Sequence, residues 1–564
     1  MRKRTLLILV GIILFAVFLR VYKLGKYPIG FLWDEASLGY NAYSILKTGR
    51  DEYGEFLPTV FKSFGDYKPG LYVYLIVPSI AIFGLNEFSV RLPSAIFGTL
   101  TVLTLYFLIK EGFDYESTRI EKRINADSFA LIASLLLAIS PWHVNFSRGA
   151  WEVNIMTFEL VFGFYLLLRF INSRKLYQLY LAVFVFLLTQ ISYQSAKFLT
   201  PCLLLAFVYF FRTSLKDISR KLKISSATIF LLGFILFSLF TFLGEKSGRI
   251  KAMSLFSYPR SASESEMIQA QDNHNGFAWE VFHSRSIFFT RSILGRYFNH
   301  FSGKFLFFEG DWSNPRNGVV YQGVLYYVDA IFLLLGLGYL FGKKRNSLDN
   351  LMLFWLLLAP LPAALTRDSI SSVRSFTMVT PLIYMIALGV CFLLSLLDYR
   401  RSFLRYFTYC LLTTVYCLLL IRFLDLYFVH NPIFTAKDRL YGYREVVDSI
   451  KPMIESESNV IITTKYGQPY IFYLFYSKFD PAKYQKMAFL EENPYGDVGE
   501  VEKMGKIEFR KIYWPDDRAF KNSLFVGDEF DLPLQDIVGQ ENIAFLKEIN
   551  YPNGRTAFRI VETR

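Results

Sequence analysis

Ionisable side chains gather in Phe31–Pro69, read FLWDEASLGYNAYSILKTGRDEYGEFLPTVFKSFGDYKP, between the first two apolar stretches of the chain. Among them are Asp34-Glu35, Asp51-Glu52, Asp66 and Lys68. A carboxylate in such a place can take a proton from a hydroxyl, or hold a divalent cation. Phe31, Leu32 and Trp33 give Asp34 and Glu35 an apolar, interfacial setting, which can tune their proton affinity. An acidic pair on a solvated loop is the plainer alternative. Gly49 and Gly54 bracket Asp51-Glu52, so a tight turn explains that pair as well as chemistry does. Lys68, next to Pro69, can reach a phosphate or extend to lipid headgroups.

Further groups lie downstream. Ser140–Glu152 reads SPWHVNFSRGAWE. Arg148 can bind a phosphate and Glu152 can add a carboxylate, although residues four apart also make local ion pairs. His143 reads as an interfacial hydrogen-bonding group rather than a base. Arg374 closes the polar run Thr366–Arg374 between two apolar stretches. An arginine at that depth needs an anionic partner, a lipid-linked phosphate or an ordinary headgroup. Glu309-Gly310-Asp311-Trp312 with Arg316 reads first as a structural turn, second as a sugar-stacking site.

The elements that must position these groups are membrane spans. Of 564 residues, 53% are hydrophobic and only 19% charged, and the mean hydropathy is +0.31. The apolar residues come in blocks of roughly 17–25, the length that crosses a bilayer as helix. The net charge of +13 sits in short loops between blocks, which fits topology and anionic lipid rather than nucleic acid. Cys202, Cys391, Cys410 and Cys417 all lie in apolar segments, without metal-ligand or disulfide spacing.

MRKR followed by Thr5–Leu19 reads as an uncleaved first span, with Arg20-Val21-Tyr22-Lys23 as its interfacial anchor. Gly70–Leu85 is short and contains Pro78, so it is expected to lie at the interface. The basic loops Lys110–Asn125, Asn172–Lys175, Arg212–Lys223, Gly342–Asn350 and Asp398–Arg405 then share the cytoplasmic side. About eleven spans follow, ending near Phe423. The expected organisation is a transmembrane domain over 1–424 with a first outer loop (25–70) and a long outer loop (244–323). An extracytoplasmic α/β domain occupies 425–564. In it, Tyr441–Ile454 has helical periodicity, Gly467–Tyr476 is a second helix candidate, and Asn459–Thr464, Phe545–Ile549 and Ala557–Val561 read as strands.

The run WDEASLGYNAYSILKTGRDEYGEFLP, with FGDYKPGLYVYLIVPSIAIFGLNEFSVRLPSAIFGTLTVLTLYFL, resembles the start of the dolichyl-phosphate-mannose–protein mannosyltransferase superfamily. It is most similar to the bacterial branch that includes the lipid A aminoarabinose transferases. The resemblance extends over Phe31–Ile109 and more thinly through Glu152 and Arg374. It implies the GT-C fold and inverting transfer of a sugar from a polyprenyl-phosphate donor to a lipid, glycan or protein acceptor on the outer face. It also implies Asp34 as general base or metal neighbour, with Glu35 beside it. Lys68 falls where that branch has Lys-Pro-Pro; here the motif is Lys-Pro-Gly. Glu152 falls near an acidic position after the third span, and Arg374 corresponds by location. Lys68, Arg148 or Arg374 would hold the donor phosphate, with Glu152, Asp51 and Asp66 as acidic or metal partners. A divalent cation, Mg or Mn, could assist, though no His/Cys cluster demands one.

Two other classes compete. A transporter or lipid flippase would place ionisable groups at mid-membrane, whereas most charges here flank the apolar blocks. A glycan-binding sensor would not need so many spans.

Overall fold

The computed structural model describes residues 3–64, 66–116, 125–242, 266–267, 270–271, 277–342, 345–397, 402–454, 457, 459–491 and 499–564. Seven helices among them are long and apolar enough to cross a membrane: Lys3–Val21, Glu87–Phe113, Glu152–Ser173, Arg220–Leu239, Ser347–Ala364, Phe376–Leu396 and Tyr406–Thr435. The shorter apolar helices Ala126–Ile139, Leu176–Ile191, Ala196–Phe210 and Asp329–Phe341 stand at the other four expected spans. Leu71–Phe83, at 13 residues, reaches about 20 Å, well short of the hydrocarbon thickness. In Arg220–Leu239 no residue of the apolar window is buried by protein. Such a surface needs hydrocarbon around it. The chain is a multi-pass membrane protein.

The chain divides into two compact units: residues 1–22, 94–147 and 151–424 form the first, and 23–93, 148–150 and 425–564 the second. The division does not follow chain order. The first outer loop, assigned by sequence to the transmembrane domain, clusters with the C-terminal region. Parts of the long outer loop (243–265, 268–269 and 272–276) lie outside the described residues, as do Lys343-Lys344 and Arg400-Arg401.

In the first unit, glycines set the closest helix approach. A Cβ on Gly389 would overlap the Phe332 carbonyl oxygen, and one on Gly336 the Met385 carbonyl oxygen. Small residues let two backbones meet where lipid supplies no hydrophobic drive. Arg20 departs from its expected role as an interfacial anchor. It is fully buried, and its guanidinium donates to the carbonyls of Ala16 and Ala138 at 3.1 Å and meets His143 Nδ1 at 2.7 Å. The C-terminal carbonyls of Ala126–Ile139 provide a favourable end for that cation.

In the second unit a six-stranded sheet has the order β4-β5-β3-β6-β8-β7. Its strands are β3 (Asn459–Ile462), β4 (Lys503–Met504), β5 (Ile507–Phe509), β6 (Ser523–Gly527), β7 (Ile543–Asn550) and β8 (Thr556–Thr563). β3 is parallel to β5 and β6, and the other pairs are antiparallel. Val460, Ile461 and Ile462 are buried, as a central β-branched strand requires. Helices Tyr443–Ile450 and Pro469–Ser477 stack Tyr443 on Phe472 with ring centroids 4.2 Å apart. The same unit holds helix Trp33–Thr48 and the hairpin of β1 (Val60–Ser63) and β2 (Asp66–Pro69). Gly39 admits the helix to this packing, because a Cβ there would lie 2.6 Å from both Phe475 and Val90 side chains.

Replacing Gly389 by valine should force Asp329–Phe341 and Val379–Leu397 apart. The expected cost is about 1–3 kcal/mol, read as a lower melting temperature of the detergent-solubilised chain. An unchanged melting temperature would refute this close approach.

Candidate active site

Helix Trp33–Thr48 begins two residues after Phe31, and its first turn carries Asp34 and Glu35. Carboxylates are favoured at that end by the helix dipole. Successive helical residues point about 100° apart, so the dipeptide cannot act as one unit: one side chain turns inward, the other outward.

Glu35 is the inward one, 2% exposed. Arg91 Nε and Nη2 donate to its two oxygens at 2.9 and 3.1 Å. The backbone N–H groups of Leu32 and Ala150 donate at 3.2 and 3.1 Å. The remaining Arg91 donors go to the carbonyls of Leu24, Pro28 and Gly30 at 3.3, 3.0 and 2.7 Å. Burial alone would raise the Glu35 pKa, but the Arg91 guanidinium outweighs it and holds the carboxylate below its ordinary value. The oxygens of Glu35, expected to act beside Asp34, are thus committed to Arg91 and two backbone N–H groups. Arg91 was not singled out from sequence. Its signal was an arginine at the very start of an apolar block.

Asp34 is the outward carboxylate, with 37% of its side chain exposed. It forms an ion pair with Lys68 of β2, whose side chain is 5% exposed. Lys68 lies opposite Phe61 in the hairpin, and its ammonium stands 5.8 Å from the Phe64 ring centroid. The structure thus brings together the first and third groups of the expected constellation. The hairpin holds the lysine, the helix start holds the acid.

The other expected residues have different surroundings. Asp51 is buried, and its Oδ1 accepts the N–H groups of Tyr53 and Glu55 at 3.0 and 2.8 Å, an Asx turn. The Asp66 backbone pairs with Ser63, while its side chain lies outside the described residues. Arg148 is fully buried. It donates to Tyr427 Oη and the Tyr27 carbonyl, both at 3.2 Å, and lies 5.3 and 5.2 Å from the rings of Tyr427 and Phe428. The guanidinium, expected at a donor phosphate, thus lies against aromatic faces. Glu152 and Arg374 belong to the first unit. Glu152 opens helix Glu152–Ser173. Arg374 is clipped within its own loop, to Asp368 and to Thr366 Oγ1 at 3.2 Å. Asp311 accepts the Ser372 N–H and hydroxyl, both at 2.8 Å, and so fixes a turn.

Glu52, which the sequence offers with Asp51 as a tight turn or as chemistry, has surroundings unlike its neighbour's. It is completely buried. Asn41 clamps it from the helix, donating to Oε1 at 3.0 Å while its own Oδ1 accepts the Glu52 N–H at 3.0 Å. Oε2 has no hydrogen-bond partner. Burial pushes the carboxyl pKa up to about 8, the Asn41 hydrogen bond and Lys68 pulling against that rise and Asp51 adding to it.

No group of three or more His, Cys, Asp or Glu side chains gathers for a metal among the described residues. Asp34, half-exposed and joined to Lys68, would supply a carboxylate to a divalent cation brought in by a phosphate. A cavity of about 490 Å³ occurs elsewhere in this unit, lined by Lys26, Tyr27, Glu87, Tyr441, Arg444 and Tyr476 among others. Asp34 and Lys68 are not in its lining.

Residues 67–240 match the family model for dolichyl-phosphate-mannose-protein mannosyltransferases. The protein described as "Putative mannosyltransferase YycA" of Bacillus subtilis (strain 168) is 26% identical over 221 residues, 39% of this chain and 29% of that one. YkcB of the same organism, similarly described, is 27% identical over 188 residues, 33% of this chain and 24% of that one. The chain therefore spans less than a third of the length of these curated relatives. Over its whole length the fold is shared with apo ArnT from Cupriavidus metallidurans. The TM-score is 0.52 at 11% identity, covering 99% of this chain and 97% of that one. The fold of the chain is GT-C: a helical membrane body with a small C-terminal sheet region.

Alanine at Glu35 would leave the Arg91 charge buried without a counterion. The expected loss of stability is about 3–5 kcal/mol; alanine at the half-exposed Asp34, which leaves the Lys68 ammonium at an end open to water, should cost less. Melting curves of the two purified variants test this, and equal losses would contradict the division of roles.

Proposed function

We propose that this chain is an inverting membrane glycosyltransferase that takes a monosaccharide from a polyprenyl-phosphate donor. The observation that carries the reading is the Asp34–Lys68 pair, an accessible carboxylate held against a buried ammonium directly after the first span. Support for the donor class comes from the match of residues 67–240 to a family named for dolichyl-phosphate-mannose.

The pair contains both charges that the reaction needs. In the chain alone, Lys68 neutralises Asp34. A donor phosphate competes for the ammonium through a charge-assisted hydrogen bond and so frees Asp34. The carboxylate then accepts the proton of the acceptor hydroxyl as its oxygen attacks the anomeric carbon. The bond from that carbon to the phosphate oxygen breaks on the opposite face, and Lys68 stabilises the negative charge that remains on the lipid phosphate. The acceptor is a lipid, glycan or protein hydroxyl. A divalent cation recruited with the donor phosphate would add to that stabilisation.

The transporter alternative has less support. Glu159 and Asp329 lie within spans, and both are closed off. Glu159 accepts the Ser192 hydroxyl at 2.8 and 2.7 Å. Asp329 accepts the Tyr416 hydroxyl at 2.7 Å and the Tyr326 N–H at 2.8 Å. Neither is presented to a passing solute.

Membranes containing the native chain should transfer label from a radiolabelled polyprenyl-phosphate sugar, and Asp34→Asn should lower the rate about 10²–10⁴-fold. Transfer unaffected by that substitution would remove Asp34 as the base. The reading also places the cytoplasm at the N-terminus and the second unit on the outer face. A reporter fused after Arg564 should be active only outside the cytoplasm; cytoplasmic activity would reverse this orientation.

A further inference from the structure

We propose that the cavity beside the Glu87–Arg444 pair is a saccharide site, separate from Asp34 and Lys68, that holds the non-reacting rings of a glycan acceptor. The acceptor role rests on the glycosyltransferase reading above; the binding of a saccharide does not.

Three segments of the second unit form the walls. The chain that follows the first span supplies Lys26, Tyr27 and Phe31. Glu87 comes from the start of the helix that carries Arg91, and residues 440–445 and Tyr476 come from the C-terminal region. The volume of about 490 Å³ falls in the range of small-molecule sites, roughly 300–1,000 Å³. The walls are fastened to one another. Arg439, fully buried, donates from Nε to the Ile29 carbonyl at 3.1 Å. A Cβ on Gly30, at φ +74°, would lie 2.3 Å from the Arg439 carbonyl oxygen. Leu440 takes φ 57° and Gly442 takes φ 106°. A bulky residue rarely adopts that left-handed region, and such backbone concentrates at functional sites.

The chemistry of the lining selects the ligand. Its charged side chains are Lys26, Arg444, Glu87 and Glu445, so the two signs balance. Glu87, 8% exposed at its side chain, pairs with Arg444 and accepts the Tyr476 hydroxyl at 2.9 Å. Arg444 keeps 48% of its side chain exposed and lies 5.4 Å from the Tyr476 ring centroid. Lys26 Nζ stands 5.9 Å from the Tyr27 ring centroid. An anion would meet carboxylates here, and a cation would meet the ammonium and the guanidinium. An uncharged ligand rich in hydroxyls suits both signs, because a hydroxyl donates to a carboxylate and accepts from an N–H. Tyr27, Tyr441 and Tyr476 stand half-buried among these charges. The electron-rich face of an aromatic ring receives weakly positive C–H groups. Hydroxyls around the edge and C–H groups on the face are what a pyranose offers.

The position of the cavity gives the sugar a role. Phe31 precedes Asp34 by three residues, which keeps their backbones within about 11 Å. Asp34 and Lys68 lie outside the lining, so rings held in the cavity leave the pair open to the reacting hydroxyl. Binding energy from such remote rings is available to hold that hydroxyl in line.

The test uses the purified full-length chain in lipid nanodiscs. Mannotriose, maltotriose and cellotriose are the uncharged probes, and inorganic phosphate is the charged one. Saturation-transfer NMR and calorimetry read binding. At least one trisaccharide should bind, Asp34→Asn should bind it equally, and phosphate should not displace it. Tyr441→Ala and Glu445→Ala should each weaken the binding about tenfold. Glu445 is half-buried, and its variant should melt close to the native temperature; it decides the matter even if Tyr441→Ala unfolds. The bound trisaccharide should also inhibit label transfer to membrane acceptors, and Glu445→Ala should require about tenfold more of it. Binding of none of the trisaccharides, displacement by phosphate, or binding indifferent to Glu445→Ala would overturn the site. Binding without inhibition would overturn its acceptor role. Absence of transfer from every donor, with binding intact, would reject the glycosyltransferase reading and the acceptor role with it, while the saccharide site stands.

Discussion

A charge taken out of water must be matched where it lies, and in this chain that demand falls on Glu35 and Arg91. The two side chains are 2% and 0% exposed. Each donor of the guanidinium has a partner, and the carboxylate accepts from two backbone N–H groups besides. Such a pair adds little net stability over a well-packed apolar one. What it adds is definition. It ties the carbonyls of Leu24, Pro28 and Gly30 to the first turn of helix Trp33–Thr48, and so fixes where that helix starts. The direction of Asp34 follows from that start. The residue that looks like a catalytic partner in the sequence is the one that aims its neighbour.

The same geometry separates the second acidic pair. Asp51 caps a turn through its Oδ1, while Glu52 enters the interior and is received by Asn41. Of the first pair, Glu35 organises backbone and Asp34 engages Lys68. The lysine joins two chain segments, the helix start and the hairpin. An ammonium with 5% side-chain exposure is poorly screened by salt, so Asp34 acts on it with little screening.

Much of this was legible beforehand, for physical reasons. Apolar blocks announce spans because a bilayer has one thickness, and each block expected to cross became a helix. β-branched runs such as Asn459–Ile462 announced strands. Asp34 and Lys68 stood out by their setting. The failures also share a cause. Burial of Arg148, the inward turn of Glu35 and the enclosure of Glu52 are decided by tertiary packing, and no local spacing encodes it. The β1–β2 hairpin escaped notice because its strands are four residues each, too short for an alternation to register. The grouping of residues 23–93 with the C-terminal region is likewise a matter of long-range packing.

That grouping bears on how the molecule is made. Helix Trp33–Thr48 leaves the ribosome early, yet Gly39 finds Phe475 only after almost the whole chain has been synthesised. Until then the part of its face that Phe475 covers stays open, through the insertion of every later span. The segment carrying Asp34 and Lys68 is thus translated before many of the residues that pack on it. A nascent chain cut short before the tail would hold the Glu35–Arg91 pair and still lack the cover that Phe475 gives the helix.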